Sequence, residues 1–120
     1  MSHIVSVRAE VRDPAAVGAA CRRLGLAEPV HGTAHLFAGE AAGLLVRLPG
    51  WHYPVVVDAA AGRLAYDNYG GAWGLQEHLD RFLQAYAVEK ATLEAKKRGH
   101  TVSEQALRDG SILVRIVESA

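Results

Sequence analysis

The sequence predicts an α+β domain: an antiparallel sheet with two helices packed on one face, in the order β-α-β-β-β-β-α-β-β. Three observations carry this prediction. Apolar and polar residues alternate over 4–12, and over 111–118 Ile112, Val114 and Ile116 share one strand face, Leu113, Arg115 and Val117 the other. Between 30 and 69, short apolar runs are separated by turn residues. From 75 to 98 the apolar residues recur instead at helical spacing.

From Ile4 to Arg12 the period is two, with Val5, Val7, Ala9 and Val11 on one face and Ser6, Arg8, Glu10 and Arg12 on the other. That is the pattern of a half-buried strand. Asp13-Pro14 supplies a helix N-cap followed by the residue favoured at the first helical position. Val17, Cys21 and Leu24 recur at i, i+4 and i+7, and Gly25 offers a left-handed stop. Strands follow at Val30–Phe37, Gly43–Leu48, Tyr53–Asp58 and Arg63–Tyr69, broken by Ala38-Gly39-Glu40, Pro49-Gly50 and Ala59-Ala60-Ala61-Gly62. Breaks this short join antiparallel neighbours, so a meander is expected. Its first strand is the weakest, because Gly32, Thr33 and Ala34 bring little side chain to pack.

Leu75 to Arg98 reads as a long helix, about 36 Å from end to end. Leu75, Leu79, Phe82, Leu83 and Tyr86 make one apolar stripe, Lys96, Lys97 and Arg98 crowd the last turn, and Gly99 ends it. Beyond Val88 the helix carries only a thin apolar line of Ala91 and Leu93. An isolated helix of that length is marginal in water unless it packs on something. A homodimer or larger oligomer is therefore expected, with Ala91 and Leu93 near the interface. Thr101–Leu107 and Ser111–Glu118 close the chain as a hairpin turned by Asp109-Gly110.

Composition bounds the function. One hundred and twenty residues make a single domain that buries roughly 65% of its unfolded surface. Of 60 apolar residues 21 are alanine, so the core is thin. Thirteen basic residues balance thirteen acidic ones, which argues against a nucleic-acid or anionic-membrane binder. The single cysteine, Cys21, allows no intrachain disulfide and reads as a small buried hydrophobe. The opening residues lack the basic flank and apolar run of a signal peptide, and the expected location is cytoplasmic.

The segment Tyr66-Asp67-Asn68-Tyr69-Gly70-Gly71-Ala72-Trp73-Gly74 has the most unusual composition in the chain. Its glycines permit close backbone approach, and aromatic rings with polar tips suit a small-ligand pocket or an interface anchor. The plain alternative is a tight strand-to-helix corner whose rings cap the core. No lysine follows the glycines, so a nucleotide P-loop is excluded. Tyr66, Asp67, Asn68, Tyr69, Trp73 and the nearby His78 are the candidate binding residues.

Six histidines raise the question of a metal. His31 and His35 share a strand face but are separated by about 13 Å of rise, too far for one ion. On a helix turn or folded loop the pair could chelate instead, and His52 could join by strand pairing. These three are weak metal candidates, and no cofactor is expected. No serine lies in a nucleophile elbow, and no carboxylate pair is identifiable from spacing.

With the whole order in view, the chain resembles the uncharacterised domain-of-unknown-function family 1257, which includes a hypothetical reading frame of algal plastids and cyanobacteria. The matching residues are Met1-Ser2-His3, the block 66–74, the stretch His78-Leu79-Asp80-Arg81-Phe82-Leu83-Gln84-Ala85-Tyr86, and Thr101-Val102-Ser103-Glu104-Gln105 followed by Asp109-Gly110-Ser111-Ile112. Residues 30–58 depart from the plastid-type members. The resemblance implies a full-length match in a cytosolic or stromal setting. It brings no catalytic residues, because the family has no established activity.

The reading favoured by the residues is a non-enzymatic binding or adaptor subunit, acting on a protein partner through the long helix and the aromatic-glycine corner. The other reading is a small-ligand, metal or cofactor-binding domain, catalytic or not, using the same corner with Asp67, Asn68 and a histidine.

Overall fold

The computed structural model describes residues 4–118; of the segments singled out above, Met1-Ser2-His3 lies outside them. The elements are β1 (Val5–Arg8), α1 (Pro14–Arg23), β2 (Val30–Leu36), β3 (Gly39–Val46), β4 (Val55–Asp58), β5 (Arg63–Tyr66), a short 3-10 turn (Tyr69–Gly71), α2 (Gln76–Lys97), β6 (Thr101–Ala106) and β7 (Ile112–Val117). This is an α+β fold with the expected element order.

The main sheet is antiparallel, in the order β1-β5-β4-β3-β2. β2 to β5 form the expected meander, and α1 carries the chain across so that β1 pairs with β5 from Val5↔Tyr66 to Arg8↔Arg63. β6 and β7 stay out of that sheet and pair only with each other. Their hairpin lies against the helices. Arg23 of α1 bonds Glu104 at 2.6 Å, and Gln84 of α2 donates to the Gly110 carbonyl at 2.9 Å.

Strand alternation decides what the helices cover. Val5, Val7, Leu44, Val46, Val55, Val57, Leu64 and Tyr66 share one face. They meet Val17, Ala20 and Cys21 of α1 and Leu79, Phe82 and Tyr86 of α2 in the main core. The small residues of α1 let it lie close to the sheet, and Asp13 caps it by accepting from the N–H groups of Ala15 and Ala16. The Tyr86 hydroxyl accepts from the N–H groups of Arg12 and Asp13, both at 3.1 Å, and so ties α2 to the start of α1.

Four expectations need correction. The first strand stops at Arg8 rather than Arg12, because Glu10 takes a left-handed φ of 55° and its N–H goes to the Gly62 carbonyl. The β2–β3 turn tightens to Phe37-Ala38, so Gly39-Glu40 open β3 instead of forming a break. Leu75 is not part of the buried stripe: it precedes α2 and is 57% exposed. Leu93, expected near an interface between copies, packs against the chain's own main core, and Val88 and Ala95 of the same half of α2 are buried.

A second, smaller cluster forms on the helix-free face, where Ala34, Leu36 and Val56 are buried with Ile4, Leu45 and Tyr53 around them. The first half of β3 pairs with β2 but not with β4. At Gly43 the Val57 carbonyl occupies the place a Cβ would take. The hairpin therefore leans across its own sheet, and a Cβ on Gly39 would stand 3.5 Å from Ile4, at the other end of the strand order. Among the described residues no helix is long and apolar enough to cross a membrane.

Candidate functional site

The corner between β5 and α2 is built around two buried polar residues, Asp67 and Asn68. The Asn68 carbonyl accepts from Gly71 at 3.0 Å and from Trp73 at 2.9 Å, while its side-chain amide donates to the Gly74 carbonyl at 3.3 Å. Asp67 Oδ1 accepts the Tyr69 N–H at 3.4 Å. Tyr69, Gly70 and Gly71 have φ values of 48°, 62° and 104°, three left-handed residues in succession. Glycine adopts this region freely, whereas Tyr69 is held there at a cost of about 1–2 kcal/mol.

The β3–β4 connection braces the corner. The His52 N–H donates to the Trp73 carbonyl at 2.8 Å, and Trp51 Nε1 donates to the Leu75 carbonyl at 3.0 Å. The Trp51 ring lies so close to Gly74 that any Cβ there would run into it. On the helix side, Trp51 meets Tyr66 edge-on with centroids 5.6 Å apart.

So braced, Trp73 becomes the hub of an aromatic cluster. Tyr69 stacks on it at 4.7 Å and 24°, and His52 lies at 5.5 Å. Phe37 and Tyr53 approach it edge-on at 5.6 and 5.8 Å. Three separate connections thus deliver these rings to one place: the β2–β3 turn, the β3–β4 loop and the corner itself. Phe37 is 67% exposed and Tyr69 44%, and the His52 side chain is exposed as well.

The structure brings together Tyr69, Trp73 and His52, with Asp67 and Asn68 at the base. It does not bring in Tyr66, which is buried towards the helices, or His78. His78 sits on α2 beside a separate depression of about 120 Å³, lined also by Leu26, Leu48 and Arg81. His31 and His35 are exposed on β2, where His35 Nδ1 lies 3.0 Å from Glu40, and His52 stands with the aromatic rings instead. Among the described residues no group of three or more His, Cys, Asp or Glu side chains is placed to hold a metal ion. Cys21 is fully buried, which pushes its thiol above the ordinary range.

Phe37 and Tyr53 were not among the residues singled out. The available signal was a large apolar ring at each of two turn positions, where polar residues are usual. No family model, curated protein or solved structure matches the chain.

Proposed function

We propose that the protein is a non-enzymatic binding subunit whose contact surface is the aromatic corner. One observation carries this reading: Phe37 and Tyr69 hold large rings in solvent, in contact with Trp73, on a backbone braced from two sides. Rings that only closed the core would be covered by it, and on the helix side Tyr66 and Trp51 already meet. Rigid, exposed aromatic side chains grouped at one spot are the usual energetic centre of a protein interface. The test is Phe37→Ala combined with Tyr69→Ala. Both rings are exposed, so stability should change by no more than about 1 kcal/mol. Binding of a co-purifying partner should be lost, and undiminished binding by the folded double variant would refute the reading.

Self-association belongs to the same proposal. Ala9 and Val11 on one side and Leu83, Ala87 and Ala91 of α2 on the other line a groove of about 450 Å³, beside the edge strand β1. The radius of gyration is 15.3 Å, against about 13.5 Å for a compact domain of this length, so the chain is elongated. A second copy would seat on this flank, with Ala91 central. A cytoplasmic setting and kinship with family 1257, on the residues quoted above, are proposed alongside; neither adds a catalytic role.

A further inference from the structure

Asp67 is 1% exposed, and its Oδ2 has no hydrogen-bond partner. A carboxylate oxygen buried without a partner is unfavourable, and such atoms are rare in folded chains. Its companion Oδ1 is fixed in the corner by the Tyr69 N–H, so the unmatched oxygen lies there too. The segments that form the site, 36–41, 50–54 and 66–76, contain Glu40 and Asp67 as acidic residues and no Lys or Arg. Glu40 already faces His35, which leaves Asp67 unmatched. Tyr69 is stacked on Trp73 and is 44% exposed, which leaves surface for a group that favours π density. Next to it, the space a side chain would occupy at Gly70 and Gly71 is open.

We propose that the corner recognises a guanidinium group, the tip of an arginine side chain presented by the binding partner. Its planar face would lie on Tyr69, and its N–H donors would reach Asp67 once the Tyr69–Gly71 turn yields, because Oδ2 is closed from solvent in the free protein. An apolar partner would use the rings but leave Oδ2 unmatched, and an acidic one would be repelled. Arginine supplies the donors, the charge and the stacking surface together. The inference rests on the corner being a contact surface.

The test is an NMR titration of the whole protein with N-acetylarginine methylamide, its neutral isostere N-acetylcitrulline methylamide, and tetramethylammonium. The arginine probe should shift the Trp73 indole N–H and the amides of Tyr69, Gly70 and Gly71 saturably, at least tenfold more tightly than citrulline. That response should be lost in Asp67→Asn. Equal responses to arginine and citrulline, or none to either, would overturn the inference without any variant. Tetramethylammonium binding as tightly as arginine and surviving Asp67→Asn would overturn the role of the carboxylate. Partner binding that depends on Phe37 and Tyr69 without arginine selectivity sinks this inference alone. Arginine selectivity together with partner binding indifferent to those rings sinks the binding-subunit reading instead.

Discussion

Tyr86→Phe removes one oxygen atom and leaves the ring packed in the main core. That oxygen accepts two backbone N–H groups, from Arg12 and Asp13, more than seventy residues away in sequence. They belong to the segment leading into α1, where the first N–H groups of a helix have no partner within the helix. Leaving a buried donor unsatisfied costs about 1–3 kcal/mol. Both groups here are part-buried, so water recovers some of the loss and the total expected is about 1–3 kcal/mol. For a chain this long that lowers the melting temperature by roughly 4–12 °C. Urea unfolding followed by circular dichroism measures it, with an unchanged m-value showing that the two end states are the same. Combined with Asp13→Ala, the losses should not add, because that variant keeps the Asp13 N–H but removes the side-chain cap on the same α1 start that Tyr86 holds. A change below about 0.5 kcal/mol would show that the phenol does not hold the start of α1, and the link from α2 would have to be apolar contact alone.

Two further outcomes are expected. The Asp13 carboxyl is held below the usual range, first by the hydrogen bond from Lys90 and then by the N–H groups of Ala16 and Ala15, against opposing burial. A lowered folded-state value contributes stability above the ordinary aspartate range that is lost as pH falls through it, so acid titration below about pH 4 should destabilise wild type more steeply than Asp13→Asn. In sedimentation velocity at tens of micromolar, wild type should run as a dimer or larger and Ala91→Glu as a monomer; a monomeric wild type would end the self-association reading. Leu93→Glu serves as the contrast, because Leu93 packs on the core and its replacement should lower stability whatever the oligomeric state.

Legibility followed the range of the interactions involved. The Asp13-Pro14 start of α1, the Leu79, Phe82 and Tyr86 stripe and the Asp109-Gly110 turn are local patterns, and the structure has each where the pattern puts it. The end of β1 was not legible, because alternation continues through Glu10 while the backbone turns there to reach Gly62. The far half of α2 misled because its apolar residues are few, yet α1 and the β6–β7 hairpin bring their own surface to it. Composition alone singled out residues 66–74. It could not supply Phe37, which reaches Trp73 from the β2–β3 hairpin leaning over the sheet at Gly43, or Tyr53, which comes from the β3–β4 loop. His78 follows the corner closely in sequence, but the helical phase turns it to another surface.

The central claim, that the aromatic corner is the contact surface, is tested most directly by hydrogen exchange on the protein alone and bound to a stoichiometric partner purified with it. The account predicts slowed exchange in three separated stretches at once, 37–40, 51–54 and 67–75, because the structure gathers them around Trp73. Protection confined to the flank of α2 or to the β6–β7 hairpin, with the three stretches unchanged, would contradict it.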